Sequence, residues 1–261
     1  MAGTASYSQS LERGLAILSA FRSGRPDLGI SDLAREIGLG RSTTHRYVAT
    51  LAALGYLQQD RTTRKYRLGP RVLDLGFSAI NSMELRELAA PHLQQLSDET
   101  GFTVNMAILD GVDIVYVERC RSSRAAQREI DLNLHVGSRM PAYCTSMGKV
   151  LLAFLAPTER DAVLDRSTLA RRGPNTLTTR KALRAELERV RRDGFAINNE
   201  ELAYGLRSIA APVRQSDGAV ASAVNLAVHS SMVSMQELAA RLTPALLQTA
   251  AEISARAGYR P

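Results

Sequence analysis

Arg41, Ser42, Thr43, Thr44 and Arg46 open one short stretch of this chain, and Arg64, Lys65 and Arg67 close the next. Guanidinium, ammonium and hydroxyl groups in such a pattern donate hydrogen bonds and charge to phosphates and to base edges. Between residues 41 and 67 the only acid is Asp60. Residues 1–80 hold 11 Lys/Arg against 6 Asp/Glu, whereas residues 81–261 hold 22 against 20. The positive excess is therefore local, as expected for a surface that meets a nucleic acid.

Other chemistry finds less support. His45, His92, His135 and His229 are scattered, and neither Cys120 nor Cys144 has a metal-ligand neighbour at the right spacing. No Gly-rich phosphate loop, GxGxxG turn or GxSxG elbow occurs. We therefore expect no metal, no cofactor and no catalytic residue. Cys144 with a distant histidine could form a nucleophile pair, but a small buried thiol is the commoner role. Glu200 and Glu201 read as one structural and one solvated carboxylate on opposite faces of a strand. Three polar spots remain. Small and hydroxyl residues from Gly137 to Lys149 precede a helix and could leave amides free for an anion, or could simply cap it. Asn198 to Ser208 and Val224 to Ala227 set polar groups into strand-like sequence. Together they outline a ligand pocket.

The elements that position these groups follow from periodicity. Ser31 is a fitting N-cap for a short helix with Leu33, Ala34 and Ile37 on one face. Gly38-Leu39-Gly40 breaks it, and a second helix from Arg41 or Ser42 to Gly55 buries Tyr47, Val48, Leu51 and Leu54. Tyr56–Gln59 and Lys65–Leu68 form a basic hairpin about Asp60–Arg64. Leu11, Leu15, Leu18 and Phe21, after Ser10, supply a first helix. The pattern is a winged helix-turn-helix, which sets one helix in the DNA major groove. The charge alone would also suit a membrane surface; its focus on this unit favours DNA.

We place the first domain at 1–68, a linker helix at 69–81 and a second domain at 82–261. Val72, Leu73, Leu75, Phe77 and Ile80 make the linker too apolar to stand free, so it should pack on a neighbour such as a second subunit. In the second domain, helices are expected at Met83–Thr100, Thr145–Leu155, Pro157–Asp165, Arg180–Asp193 and Met235–Ala257. Strands are expected at Thr103–Leu109, Ile114–Arg119, Ile130–Val136, Gly194–Ile197, Ser208–Arg214 and Val220–His229. Strands paired as hairpins and flanked by helices predict an α+β fold rather than a doubly wound sheet. With 45% hydrophobic residues, 23% charged residues and two cysteines, the chain suits a reducing compartment. No apolar run spans a bilayer and the N-terminus carries no export signal, so we expect a cytoplasmic protein with no membrane partner.

The segments SLERGLAIL, LAREIGLGRSTTHRYVATLAALGYL, PAYCTSMGKVLLA and RRDGFAINNEELAYGLRSIAAPV together resemble the isocitrate lyase regulator (IclR) family of bacterial transcription factors. The resemblance covers residues 10–258. It implies a GAF-like effector-binding second domain and a homodimer or dimer of dimers on a palindromic double-stranded operator. The family's effector pocket carries over to Ser146 and Met147 at a helix start, to Asn198, to Leu206 and Ser208, and to Asn225 and Ala227, with Met140 as an apolar wall. Asn198 stands where the family often has an acid, and Ala227 where it often has serine. Within the family, SRMPAYCTSMGKVLLA and FAINNEELAYGLRSIAAPV look most like the regulators of the β-ketoadipate branch, which implies a small carboxylate effector, aromatic or a ring-cleavage product. The rival readings are a constitutive DNA-binding repressor whose second domain only dimerises, and an enzyme with an appended DNA-binding domain.

Overall fold

The computed structural model describes residues 7–22, 24–122 and 133–260. The chain divides into two compact units, with the break between Ser82 and Met83.

The first unit contains helices α1 (Gln9–Ser19), α2 (Ile30–Ile37) and α3 (Arg41–Ala53), the wing strands β1 (Leu57–Gln59) and β2 (Tyr66–Leu68), and helix α4 (Arg71–Asn81). Its core is Ile17, Ala20, Phe21, Leu28, Leu33, Val48, Leu57 and Tyr66. Three local expectations need correction. Helix α1 is capped by Ser8. It turns Ile17 inward and leaves Leu11 and Leu15 exposed, because two apolar stripes compete on this helix and the one beside Phe21 packs. Helix α2 begins one residue before Ser31, and the Asp32 carboxylate accepts from the Gly29 amide at its start. Leu54 is exposed at the end of α3. Gly38 does take the left-handed conformation that ends α2, with φ 67°. Helix α4 belongs to the first unit, and none of its residues is buried within the single chain.

The second unit is a six-stranded antiparallel sheet between two layers of helices. In chain order its elements are α5 (Glu84–Thr100), β3 (Thr103–Asp110), β4 (Asp113–Cys120), β5 (Arg139–Pro141), a 3-10 turn at Ala142–Cys144, α6 (Ser146–Phe154), α7 (Pro157–Arg166), α8 (Arg180–Asp193), β6 (Ala196–Asn199), β7 (Leu206–Arg214), β8 (Val220–His229), α9 (Met235–Glu237) and α10 (Thr243–Arg256). The strand order is β5-β4-β3-β8-β7-β6. Helices α5 and α10 cover one face through Leu93, Leu96, Leu246 and Ile253, against Val104, Ile209, Val224 and Leu226. Helices α6, α7 and α8 cover the other, against Ala107, Tyr116, Ala210 and Ala223. The α+β reading therefore holds.

The expected strand Ile130–Val136 falls partly on residues 130–132, outside the described residues; Asn133–Val136 is not a strand. The edge strand β5 follows it instead. The expected helix Met235–Ala257 is interrupted by a π turn at Leu238–Leu242, where the Thr243 hydroxyl donates to the Leu238 carbonyl. Strand β4 carries a bulge. Met106 pairs with Glu118 and Ala107 with Tyr116, so Val117 is the extra residue.

Candidate functional site

Two surfaces hold the candidate residues, one in each unit. In the first, Gly40 starts α3, so that Arg41, Ser42, His45 and Arg46 are exposed and Thr43 is half-buried. Thr44 is a correction. It is fully buried on the core side of α3, and its hydroxyl donates to the Gly40 carbonyl at 3.1 Å, so it cannot reach a base or a phosphate. The wing turn is built around Asp60, whose carboxylate accepts from the Thr62 amide (2.9 Å), the Thr63 amide (2.6 Å) and the Thr63 hydroxyl (3.0 Å). Those bonds, the Thr63 amide first, hold the Asp60 carboxyl below its ordinary pKa. The turn sets Arg64 in the left-handed region at φ 59° and leaves Arg64, Lys65 and Arg67 exposed. Arg41 and His45 share one groove with Arg64 and Lys65. The fold thus brings the helix start and the wing, far apart in sequence, to one basic surface.

In the second unit a cavity of about 40 Å³ lies against the sheet face that α6 covers. Cross-strand register explains its lining. Asn198 pairs with Ser208, Ser208 with Ala227 and Ala227 with Thr103, which makes one transverse row. Two residues along, Asn225 pairs with Asn105 and Asn105 with Arg119 in a second row on the same face. Six predicted residues line the cavity: Ser146, Asn198, Leu206, Ser208, Asn225 and Ala227. Met140 and Met147 do not. Met140 sits on β5 against the core, and Met147 is buried within it, because the first turn of α6 points its side chain away from the sheet row.

Thr145 caps α6 by accepting from the Gly148 amide at 3.1 Å. The first amides of a helix have no partner within it and carry its positive end, so those of Ser146 and Met147 suit an anion. Ser146 Oγ and Ser208 Oγ lie 2.7 Å apart, each hydroxyl nearly buried. Asn198 is held on both sides: its Nδ2 donates to the Cys144 carbonyl at 2.9 Å and its Oδ1 accepts from the Glu201 amide at 3.0 Å.

Sequence reading missed Asn105, Tyr116 and Arg119, which also line the cavity. Arg119 Nη1 donates to Asn105 Oδ1 at 2.8 Å, and Asn105 Nδ2 donates to Asn225 Oδ1 at 2.8 Å. A signal was present. Val104-Asn105-Met106-Ala107 and Val224-Asn225-Leu226-Ala227 repeat one pattern, a lone amide in each of two apolar strands. The bulge at Val117 lets Tyr116 and Arg119 face the same side. Burial pushes the Tyr116 phenol up to about 12, so it stays protonated.

Behind the cavity lies a charge cluster. Lys149 is buried on α6, and its ammonium donates to Glu201 (2.5 Å), to Glu186 (3.0 Å) and to the Ile197 carbonyl (2.6 Å). Burial pushes the Glu201 carboxyl up against the pull of Lys149. Burial also acts on Glu186, but hydrogen bonds from Arg189 and Lys149 outweigh it and hold that carboxyl below its ordinary value. Glu200 and Glu201 lie beyond the end of β6 rather than on it. Glu201 is the structural one, while Glu200 has φ 58° and accepts from the Gly205 amide at 2.7 Å.

A nucleophilic role for Cys144 needs a thiolate. Burial pushes this thiol up to about 11, and its sulfur contacts the Pro141 carbonyl at 3.8 Å. Among the described residues no group of three His, Cys, Asp or Glu could hold a metal ion, and no helix is long and apolar enough to cross a membrane.

Known proteins resemble this chain across both units. The IclR helix-turn-helix domain matches residues 10–61, and the C-terminal domain of the bacterial transcriptional regulator IclR matches residues 77–255. The chain is 38% identical over 251 residues to the Pca regulon regulatory protein of Pseudomonas putida, covering 96% of this chain and 84% of that one. It is 32% identical over 251 residues to the p-hydroxybenzoate hydroxylase transcriptional activator of Acinetobacter baylyi, covering 96% and 92%. A crystal structure of an IclR homologue from Microbacterium hydrocarbonoxydans complexed with 4-hydroxybenzoate superposes with a TM-score of 0.80 at 26% identity, covering 95% of this chain and 99% of that one. With both units matched in order along the chain, it belongs to the IclR family of DNA-binding transcriptional regulators.

Proposed function

We propose that this regulator reads its operator with the start of α3 and the wing, and that a small organic acid in the cavity under α6 tunes its occupancy. The observation that carries the second half is the pair Ser146–Ser208, two nearly buried hydroxyls joined at the positive end of a helix. An effector carboxylate takes up the Ser146 and Met147 amides and the Ser208 hydroxyl, in place of the hydroxyl–hydroxyl bond. Leu206 and Ala227 supply apolar contact, and Asn225 reads a polar group further along. Met140 and Met147 act only by shaping the core around the site.

The effector class is an aromatic acid or its ring-cleavage product. Support comes from the Pca regulon regulator and from the 4-hydroxybenzoate bound to the structural neighbour. Such an acid is larger than a cavity of about 40 Å³, which holds about three waters. Binding must therefore widen the cavity. That widening is a source of differential affinity between two states, without which no effector shifts an equilibrium.

On the DNA side, Arg41, Ser42, Thr43 and Arg46 face bases and nearby phosphates, and Arg64, Lys65 and Arg67 meet the backbone. Replacing Arg46 with Ala should weaken operator binding by about tenfold to a hundredfold and relax base preference. Replacing Arg64 with Ala should weaken all DNA about equally and reduce the slope of log affinity against log salt by about one. An unchanged salt slope would contradict the wing assignment. Leu73, Leu75 and Phe77 of α4, each more than half exposed, suit burial against a second subunit on a palindromic site.

Fluorescence anisotropy on the DNA flanking the protein's own gene tests the whole reading, with protocatechuate, p-hydroxybenzoate and β-ketoadipate added in turn. Salt-sensitive binding that one acid shifts is the expected result. Binding that no acid shifts at millimolar concentration leaves a constitutive regulator and removes the effector claim.

A further inference from the structure

We infer that Arg119 fixes the hydrogen-bond polarity of the cavity, so that its second row favours an effector whose distal group is an acceptor, a ketone or a carboxylate, over one of the same shape that ends in a hydroxyl. The inference rests on the effector reading above and deepens it by naming what Asn225 recognises.

The argument is one of counting donors and acceptors. A carboxamide presents an oxygen on one side and an NH2 on the other, and its orientation follows from its partners. A guanidinium has donors only and does not lose its proton in proteins. Asn105 must therefore turn its oxygen to Arg119, and Nη1 donates to that oxygen at 2.8 Å. This leaves the Asn105 NH2 toward β8, where it donates to Asn225 Oδ1 at 2.8 Å. Asn225 thus has its oxygen engaged and its NH2 as the group left to offer. Asn225 lines the cavity, and its Nδ2 donates to no described residue. The order Arg119, Asn105, Asn225 is a directed relay on three neighbouring strands. Nothing else on the row can reverse it, because Ala210 and Ala196 follow on β7 and β6.

The consequence is a discrimination that shape cannot supply. A keto group and a secondary hydroxyl differ little in size. A hydroxyl facing Asn225 Nδ2 can accept, but its own proton must then compete for a second lone pair on an amide oxygen that already takes a donor, since the Asn105 and Asn225 oxygens are both engaged in the relay. A misassigned buried polar contact of this kind corresponds to about tenfold to a hundredfold in affinity.

Isothermal titration of the full chain tests this with two matched pairs: 3-oxoadipate against 3-hydroxyadipate, and 4-acetylbenzoate against 4-(1-hydroxyethyl)benzoate. The acceptor-ended acid of a pair is expected to bind at least tenfold tighter. Asn105→Asp keeps a partner for Arg119 but offers Asn225 an acceptor, so Asn225 turns its oxygen to the cavity and the preference should fall to parity or invert. Arg119→Gln, whose amide can face either way, should bring the ratio near one, and it serves where Asn105→Asp does not fold by circular dichroism. Equal binding of both members of each pair by the wild type, or an unchanged ratio in a folded variant, overturns the relay and leaves the effector pocket standing. Failure of all four acids to bind at millimolar concentration overturns the pocket reading, and the relay with it.

Discussion

Lys149→Met is expected to cost the second unit about 3–5 kcal/mol, the usual penalty for removing one member of a buried ion pair. The ammonium is almost wholly buried and holds Glu201, Glu186 and the Ile197 carbonyl together. Methionine fills a similar volume but leaves the Glu201 carboxylate buried beside no cation. Chemical denaturation followed by circular dichroism should show the transition of the second unit moved to lower denaturant, with that of the first unit in place. The sign of the pH dependence follows from Glu201. Its carboxyl already sits above its ordinary value through burial, and losing Lys149 raises it further. A raised carboxyl makes the folded state bind the extra proton, so the variant is most stable below the ordinary carboxylate range and loses stability as pH rises through the raised value. The deficit should therefore shrink on acidification. Lys149→Met with Glu201→Gln should recover most of it. A single variant as stable as the wild type at neutral pH would show that the cluster contributes nothing.

Gly148→Ala should be nearly as damaging, for a steric reason. A Cβ at this position would collide with the carbonyl and Cα of Ala142, both backbone atoms that no rotamer change can move. Overpacking of this kind costs about 1–3 kcal/mol and more where backbone must shift. The helix start carrying Ser146 would have to lift off the 3-10 turn. The Ser146–Ser208 contact would open with it, and effector binding should fall together with thermal stability. DNA binding measured without effector should persist, since α3 and the wing lie in the other unit. A variant with wild-type melting temperature and effector response would show that the close approach is dispensable.

How much of this was legible in the sequence depends on the range of the cause. Gly38 announced a helix end because a left-handed C′ residue is a local demand of the backbone; Gly194, expected to open a strand, ends α8 in the same way. The hairpins β3–β4 and β7–β8 were readable for the same reason, through their Asp-Gly turns. Which face of a helix packs is not local. Leu11 and Leu15 looked like core until the neighbours of Ile17 were in place, and Thr44 looked like a reading residue although it occupies the inner face of α3. The pocket residues Ser146, Asn198, Ser208 and Asn225 came from family resemblance. Asn105 and Arg119 did not come at all, since only strand register sets them beside Asn225. The repeated Val-Asn-x-Ala pattern shows that the amide pair was there to be noticed, but no periodicity says which strands will be neighbours.

The extra residue in β4 carries a consequence for how such pockets change over evolution. In an unbroken pleat the side chain sharing a face with Tyr116 would be Glu118, two positions on; with Val117 bulged out it is Arg119. One local kink thus decides the sign of the charge on that wall. A descendant that straightened the strand would offer an acid where this protein offers a base. Such a wall would repel carboxylates and suit amines with every pocket side chain still encoded, so ancestry read from residue identity alone would miss the change.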